Sequence, residues 1–168
     1  IARLMLILKL HALAQGYSGL QEATLDRILW MLEIGATPLV PSQGSVGASG
    51  DLAPLAHLFL PLIGFGKVYY KDQLIPTEDL LNSFNLKPLE LGPKEGLALI
   101  NGTQFIAAHA VKVIEKMHNC LSQADIIGAM MIEGLQGSVK PFHPELHKLR
   151  PYAGNQHVAE RIRKLLEG

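Results

Sequence analysis

Apolar residues recur at helical spacing along most of the chain, and this pattern predicts a mainly α-helical protein. Between about 21 and 34, Leu25, Ile28 and Leu32 fall on one stripe, and Gly35 ends the helix. A second helix starts near 51 with almost no polar face, and one long helical pattern runs from about 103 to 135. Shorter helices are predicted at the N-terminus, near 77–79, from Pro93, near 145–149 and over 155–166. Apolar positions spread around long helices are typical of a bundle.

One segment breaks the helical pattern and predicts a small β excursion over about 67–91. Two short runs rich in β-forming residues, 67–70 and 73–75, flank Lys71 and Asp72 in the pattern of a hairpin, and residues 86–91 are a candidate for a further short strand. No internal repeat or low-complexity linker divides the sequence. The first helix opens without a capping residue, which indicates that the chain begins inside an element. We therefore expect residues 1–168 to form a single, incomplete domain.

Composition excludes several classes of protein. Apolar residues make up 48% of the 168 positions and charged residues 18%, which excludes a disordered chain. Fifteen basic and fifteen acidic residues give a formal net charge of zero, which argues against nucleic acid or an anionic membrane as a partner. No apolar run approaches the ~20 residues of a membrane span. Lys9 and His11 interrupt the run over 4–8 that would otherwise resemble a secretory signal.

The low charged fraction, with a mean hydropathy of +0.20, indicates that much of the surface contacts other protein, and we expect an oligomer. Cys120 is the single cysteine, so it cannot close a disulfide within the chain. We interpret Cys120 as a small buried apolar residue, and Met130 and Met131 as part of a bundle core.

The loop over 41–54 carries the most informative chemistry. Gly44, Gly47 and Gly50 alternate with small residues, and Asp51 and Pro54 follow. A simple interpretation is a helix N-terminus with Ser49 or Asp51 as its cap, but this does not explain so many small residues in succession. The sequence does not have the lysine of a phosphate-binding loop, and it lacks the second spacer of a hydrolase nucleophile elbow.

Ala48, Ser49 and Gly50 permit a rarer reaction. In a tightly bent loop the amide nitrogen of Gly50 can attack the carbonyl carbon of Ala48 and close a five-membered ring around Ser49. Resonance normally prevents this, so the surrounding fold must impose the strain. Loss of two waters would leave a methylidene-imidazolone, an electrophile that no unmodified side chain provides.

The sequence resembles the histidine and aromatic amino-acid ammonia-lyase family. The motifs that carry the resemblance are Pro41-Ser42-Gln43-Gly44-Ser45, the run from Gly47 to His57, Leu99-Ile100-Asn101-Gly102-Thr103-Gln104, His143-Pro144 and the run from Leu149 to Asn155. The residues from Ser45 to His57 are most similar to those of the histidine branch of this family. Tyr152 and Asn155 depart from the family, whose members often carry His and Gln there.

The resemblance implies a helical-bundle segment of an ammonia-lyase fold and a prosthetic group made from Ala48, Ser49 and Gly50, with no external cofactor and no metal. Asp51 would assist cyclisation, and the Asn101 amide would support the electrophile by hydrogen bonding. From the residues alone, Asn101 is better explained as a helix cap, and the two roles can coexist. The implied substrate is L-histidine or another aromatic amino acid, and the implied assembly is a cytoplasmic homotetramer.

Other interpretations stay open at this stage. The resemblance implies that the family's base and its carboxylate-binding residues lie outside 1–168, so this segment alone should be inactive. The parent could be a phenylalanine or tyrosine ammonia-lyase, an aminomutase with the same prosthetic group, or a helical assembly module without catalysis. His143 and His147 have the spacing of two metal ligands, although Pro144 favours an ordinary helix start. His57 follows the loop and could support the site from behind the loop, but a hydrogen-bonded core position is its commoner outcome.

Overall fold

A computed structural model of the chain describes residues 1–44, 47, 50 and 52–167. The described residues fall into two compact units, Ile1–Lys112 and Val113–Gly168, and each is described by itself. The division does not test whether 1–168 belongs to a single domain, which stays a prediction. Among the described helices, none combines the length and the apolar character that crossing a bilayer requires.

The first unit is built mainly from short helices around one apolar core. These are α1 (Ala2–Leu13), α2 (Glu22–Glu33), α3 (Leu52–Phe59), α4 (Thr77–Ser83), α5 (Glu95–Ile100) and the start of α6 (Gln104–Gly134). A 3-10 turn, Leu60–Ile63, continues α3. The largest completely buried side chains come from different helices and include Met5, Ile28, Leu55, Leu58 and Leu99. Burial of these faces, rather than intrinsic propensity, stabilises helices of this length.

The end of α2 follows the sequence prediction. Gly35 has a φ of +75°, the left-handed conformation that glycine adopts without penalty. The Gly35 amide donates to the Leu32 carbonyl at 3.3 Å, and the Ala36 amide donates to the Met31 carbonyl at 2.9 Å. This pair of hydrogen bonds is a Schellman motif, which satisfies the last carbonyl groups of the helix.

The β excursion is a three-stranded antiparallel sheet in the order β1 (Thr37–Pro38), β2 (Lys67–Tyr70) and β3 (Gln73–Pro76). The predicted hairpin of β2 and β3 is confirmed, with Tyr70 opposite Gln73. Lys71 and Asp72 both have positive φ, at 48° and 61°, as a two-residue type I′ turn requires. Val68 is completely buried, and it anchors the sheet on the core.

The strand predicted over 86–91 is wrong, since the structure has no strand there. The Leu89 amide donates to the Leu62 carbonyl at 2.8 Å, so this part of the chain lies along the 3-10 turn. Pro88 has no amide hydrogen, which weakens any ladder in this segment. Pro93 is also not the first residue of its helix, because α5 begins at Glu95 after Lys94 in a left-handed conformation.

The second unit contains the rest of α6, a 3-10 turn at Lys140–Phe142, α7 (Pro144–Lys148) and α8 (Ala153–Leu165). Arg161 of α8 forms an ion pair with Asp125 of α6, with 3.2 Å between Nε and Oδ2. Its guanidinium also donates to the Ser122 hydroxyl and carbonyl oxygens. Ala129 of α6 and Ala159 and Ile162 of α8 are buried.

The burial predicted for several α6 residues is not found in this chain. Cys120 is exposed, and Met130 and Met131 are 65% and 60% exposed. Other apolar residues of α6 share this exposure, among them Met117, Leu121 and Ile127. Helical spacing predicted an apolar surface correctly, but a surface is buried only where another element covers it.

Candidate active site

Gly47 and Gly50 lie close together in the loop before α3. The Gly50 amide nitrogen donates to the Gly47 carbonyl oxygen at 3.0 Å, and the Leu52 amide donates to the Gly50 carbonyl at 3.1 Å. The predicted site residues Ala48, Ser49 and Asp51 lie outside the described residues. The Gly47 carbonyl and the Gly50 amide, on either side of the predicted ring closure, are therefore within hydrogen-bonding distance of each other.

Gly50 is pressed against the backbone of Gly102, about fifty residues further along the chain. The two residues form a parallel β-bridge. A Cβ atom at position 50 would lie 3.0 Å from the Gly102 carbonyl carbon and still closer to its oxygen. Gly50 also has a φ of +94°, a backbone conformation that residues with a Cβ rarely adopt. Both observations explain why this position is glycine.

Gly44, near the start of the loop, is packed closely against α3. A Cβ atom at Gly44 would lie 2.9 Å from Cδ of Pro54, which is buried in the first turn of that helix. Gly44 is thus packed against α3, and Gly50 against Gly102. Such close contacts explain why positions 44 and 50 are glycine, which a helix cap alone does not explain.

Asn101 stands beside this contact, at the end of α5. The backbone N–H of Asn101 donates to the Leu97 carbonyl at 3.0 Å, and the backbone of Asn101 leaves the helix at φ −92° and ψ 125°. Asn101 is exposed, and the next residue is the Gly102 that touches Gly50. Of the predicted site residues, the structure therefore brings Gly50 and Asn101 into one place.

Sequence reasoning missed the residue that holds this turn. Lys9 of α1 is only 3% exposed, and its Nζ donates to the Asn101 carbonyl oxygen at 2.6 Å. Burial lowers the pKa of the Lys9 ammonium to about 8. A signal was present in the sequence, because Met5, Lys9 and Leu13 are four residues apart and so occupy one helix face. A lysine on an otherwise apolar stripe indicates a buried partner.

The other end of α5 is fixed by a buried carboxylate. Glu95 is 2% exposed, and one oxygen accepts from the Gln21 amide at 2.8 Å and the Thr24 hydroxyl at 2.9 Å. The second oxygen accepts from the Gly92 amide at 2.6 Å. Burial by itself raises the pKa of Glu95, but these hydrogen bonds outweigh it and lower the pKa below its usual value.

Beside the Asn101 turn lies a cavity of about 280 Å³. Its lining includes Lys9, Ser18, Lys94, Leu97, Asn101 and Gln104. The Gln104 Oε1 atom is buried and has no hydrogen-bond partner among the described residues. A Cβ atom at Gly102 would meet this Gln104 side chain, so position 102 is also closely surrounded.

The histidines considered as ligands have ordinary local roles. The His143 Nδ1 accepts from the Glu145 amide at 3.4 Å, as the cap of α7, and the His147 Nε2 lies 3.2 Å from the Pro141 carbonyl oxygen. The residues that the structure describes contain no cluster of three or more potential metal ligands. His57 is exposed on α3, so the expected core position is wrong.

Comparison with known proteins decides the family. The model of the family described as aromatic amino acid lyase matches residues 1–168. The chain belongs to this family. A histidine ammonia-lyase of Myxococcus xanthus is 47% identical over 165 residues, which cover 98% of this chain and 32% of that protein. The chain therefore spans about a third of the length of this aromatic amino acid lyase.

Solved structures agree with the assignment of the fold. The crystal structure of histidine ammonia-lyase from Trypanosoma cruzi matches with a TM-score of 0.87 and 36% identity, covering 96% of this chain and 32% of that one. A tyrosine aminomutase from Streptomyces globisporus matches with a TM-score of 0.88 and 38% identity, covering 99% of this chain and 31% of that one. The mainly helical fold with a small sheet is thus that of the ammonia-lyases and aminomutases.

The described residues fit the prosthetic group that the sequence predicts. Ring closure needs a loop bent tightly enough to turn the Gly50 amide back on the preceding chain, and the Gly50 amide does reach the Gly47 carbonyl oxygen, at 3.0 Å. It also needs residue 50 to have no Cβ, and the Gly102 backbone occupies the space that a Cβ would take.

Proposed function

We propose that this chain is part of a histidine ammonia-lyase, which eliminates ammonia from L-histidine to give urocanate. Its electrophile would be a methylidene-imidazolone made from Ala48, Ser49 and Gly50, without an external cofactor. The observation that carries the proposal is the contact of Gly50 with Gly102, which joins the two most specific motifs of the sequence at one point. The histidine ammonia-lyase relative at 47% identity supports the choice of substrate.

The prosthetic group would supply an electrophilic carbon, which makes the amine nitrogen of an amino acid a better leaving group. The residues of this chain would form the group and hold it. Gly50 would contribute the attacking nitrogen, and its contact with the Gly102 backbone would keep the loop from relaxing away from the bend. Strain of this kind persists only where neighbouring structure over-determines the backbone.

Asn101 and Asp51 would assist this chemistry. The Asn101 side chain is a neutral amide, so it can donate a hydrogen bond to a developing negative charge without adding a competing charge. Asp51 would accept a proton or orient the loop during cyclisation. In this proposal the base and the residues that bind the substrate carboxylate come from other parts of the parent protein, so the isolated 168-residue segment forms no urocanate.

The parent would act in histidine catabolism, as a cytoplasmic homotetramer. Support for an oligomer comes from α6, where Met117, Leu121, Met130 and Met131 are all more than half exposed. Monomeric proteins rarely leave so many large apolar residues of one helix in contact with water. The low charged fraction of the whole chain points the same way.

The test compares the full-length parent with Ser49→Ala and a matched control, Ser42→Ala, in the same loop. Intact-protein mass of the wild type should lie about 36 Da below the encoded mass, from two lost waters. Ser42→Ala should show the same deficit and form urocanate from histidine, whereas Ser49→Ala should show neither. A wild-type parent with its full encoded mass would refute the proposal and favour an assembly module without catalysis.

A second candidate, an aminomutase, is favoured by the match to the tyrosine aminomutase of Streptomyces globisporus. Such an enzyme returns the amine to the β-carbon rather than releasing it. The parent should therefore be incubated separately with histidine, phenylalanine and tyrosine, with ammonia and β-amino acids both quantified. Release of ammonia from histidine supports the first candidate, while a β-amino acid as the main product supports the second.

A further inference from the structure

The helix that carries the Asn101–Gly102 turn is too short to hold its own position. Helix α5 contains six residues, Glu95–Ile100, and isolated helices of this length are unstable in water. The buried Leu99 ties one face of α5 to the core. Its ends are tied by two buried charges, Glu95 in its first turn and Lys9 at the carbonyl of Asn101, the residue that follows its last turn.

The two charges have the signs that a helix favours. A carboxylate at the N-terminus and an ammonium at the C-terminus both interact favourably with the helix dipole. Glu95 connects α5 to the start of α2, and Lys9 connects it to α1. The Lys9 ammonium accordingly fixes where the carbonyl of Asn101 lies, and the next residue is the one in contact with Gly50.

Stability of the fold does not explain a lysine at this position. Met5, Leu6 and Leu13 show that this face of α1 packs in an apolar core, where methionine or leucine would be buried without loss of hydration. An ammonium that is 3% exposed is retained there at a cost, so its hydrogen bond with Asn101 has to serve another purpose.

We propose that Lys9 is a positioning residue, which holds the Asn101–Gly102 turn against Gly50 so that the loop can cyclise. The inference rests on the proposed function, because it concerns formation of the same prosthetic group. Lys9 does not act on substrate. Its ammonium acts only through the backbone that it binds, and the expected result of losing it is a loop that closes slowly in a protein that still folds.

The experiment follows ring closure in newly synthesised full-length parent by intact-protein mass. Lys9→Met removes the charge and the donor but keeps a long apolar side chain, and Lys9→Arg keeps a cation that can still donate. Lys94→Met is the matched control, since Lys94 is an exposed lysine that lines the same cavity. Circular dichroism and thermal unfolding report on folding for every variant.

Cyclisation of Lys9→Met should be slower than that of the wild type by at least about tenfold, which is the effect expected from losing one charged hydrogen bond. Its thermal midpoint should stay within a few degrees of the wild type, because a buried charge has been exchanged for an apolar group. Lys9→Arg should recover most of the rate, and Lys94→Met should cyclise like the wild type. A purely structural lysine would instead lower the thermal midpoint and the rate together.

The outcomes separate the two proposals. A wild-type parent that never loses the two waters refutes the proposed function itself. A wild type that cyclises, with Lys9→Met cyclising at the same rate, overturns the role of Lys9 and leaves the proposed function intact. Should Lys9→Met fail to fold, Lys9→Gln replaces it, because glutamine is shorter and neutral, and the same tenfold loss is expected.

Discussion

Replacement of Glu95 by glutamine should destabilise the protein through a conflict between hydrogen-bond donors. The carboxylate accepts from the Gln21 amide and the Thr24 hydroxyl at one oxygen, and from the Gly92 amide at the other. A glutamine side chain has only one oxygen. Whichever way its amide is turned, an NH₂ group faces a backbone N–H, so at least one buried donor loses its acceptor.

The size of this effect follows from burial. A hydrogen bond to a charged group contributes about 2 kcal/mol, and a buried donor without an acceptor costs a further 1–3 kcal/mol or so. We therefore expect Glu95→Gln to lower the free energy of unfolding by about 3 kcal/mol. With a urea m-value near 2 kcal/mol/M, the midpoint would fall by roughly 1.5 M.

The assay is urea denaturation followed by circular dichroism, at several pH values. The pKa of Glu95 is lower in the folded protein than its ordinary 4.5, so the unfolded chain takes up the proton first as the pH falls. The stability that Glu95 contributes is consequently complete above pH 4.5 and is lost as the pH falls through the folded-state pKa. The difference between wild type and Glu95→Gln should shrink over that range.

The exposed Glu90 provides a control, since Glu90→Gln should change stability by less than about 0.5 kcal/mol. An effect of Glu95→Gln as small as that of Glu90→Gln, or a difference from wild type that is unchanged at low pH, would show that the carboxylate does not anchor α5.

Three further predictions concern Gly50, Lys9 and Arg161. Gly50→Ala should abolish the loss of two waters in intact-mass measurements, while Gly96→Ala in α5, where a Cβ meets nothing within 4 Å, should cyclise normally and raise stability by about 0.5–1 kcal/mol. In the folded protein Lys9 loses its proton near pH 8, whereas in the unfolded chain it does so only near pH 10.5. Between pH 7 and 10.5 the free energy of unfolding of the wild type should therefore rise by roughly 3 kcal/mol relative to that of Lys9→Met. Arg161→Met should lower the urea-unfolding free energy by about 1 kcal/mol, since its ion pair with Asp125 is partly exposed.

Local chemistry made much of the fold predictable. The hairpin was predictable because Lys71 and Asp72 separate two short β-prone runs by two residues, and the structure has that register. The long helix predicted over about 103–135 is confirmed as α6, Gln104–Gly134. These elements are specified by periodicity and turn residues that lie within a few positions of each other.

Long-range contacts were not predictable in the same way. Nothing local indicates that Lys9 reaches the carbonyl of Asn101, 92 positions away, or that Gly102 is the backbone against Gly50. The burial expected for Cys120 failed for a related reason, because spacing specifies which face of a helix is apolar but not what covers it. Gly50 and Asn101 were found through motifs, and the structure adds the geometry that joins them.

The type I′ turn at Lys71 and Asp72 has a practical consequence for handling the protein. Its two residues are exposed at the tip of a hairpin whose strands are paired up to Tyr70 and Gln73. Lengthening a loop at such a tip costs little free energy, because the ends are already held together. A short epitope or fluorophore-binding peptide inserted between these two residues would label the chain while leaving the loop and the α5 terminus as they are.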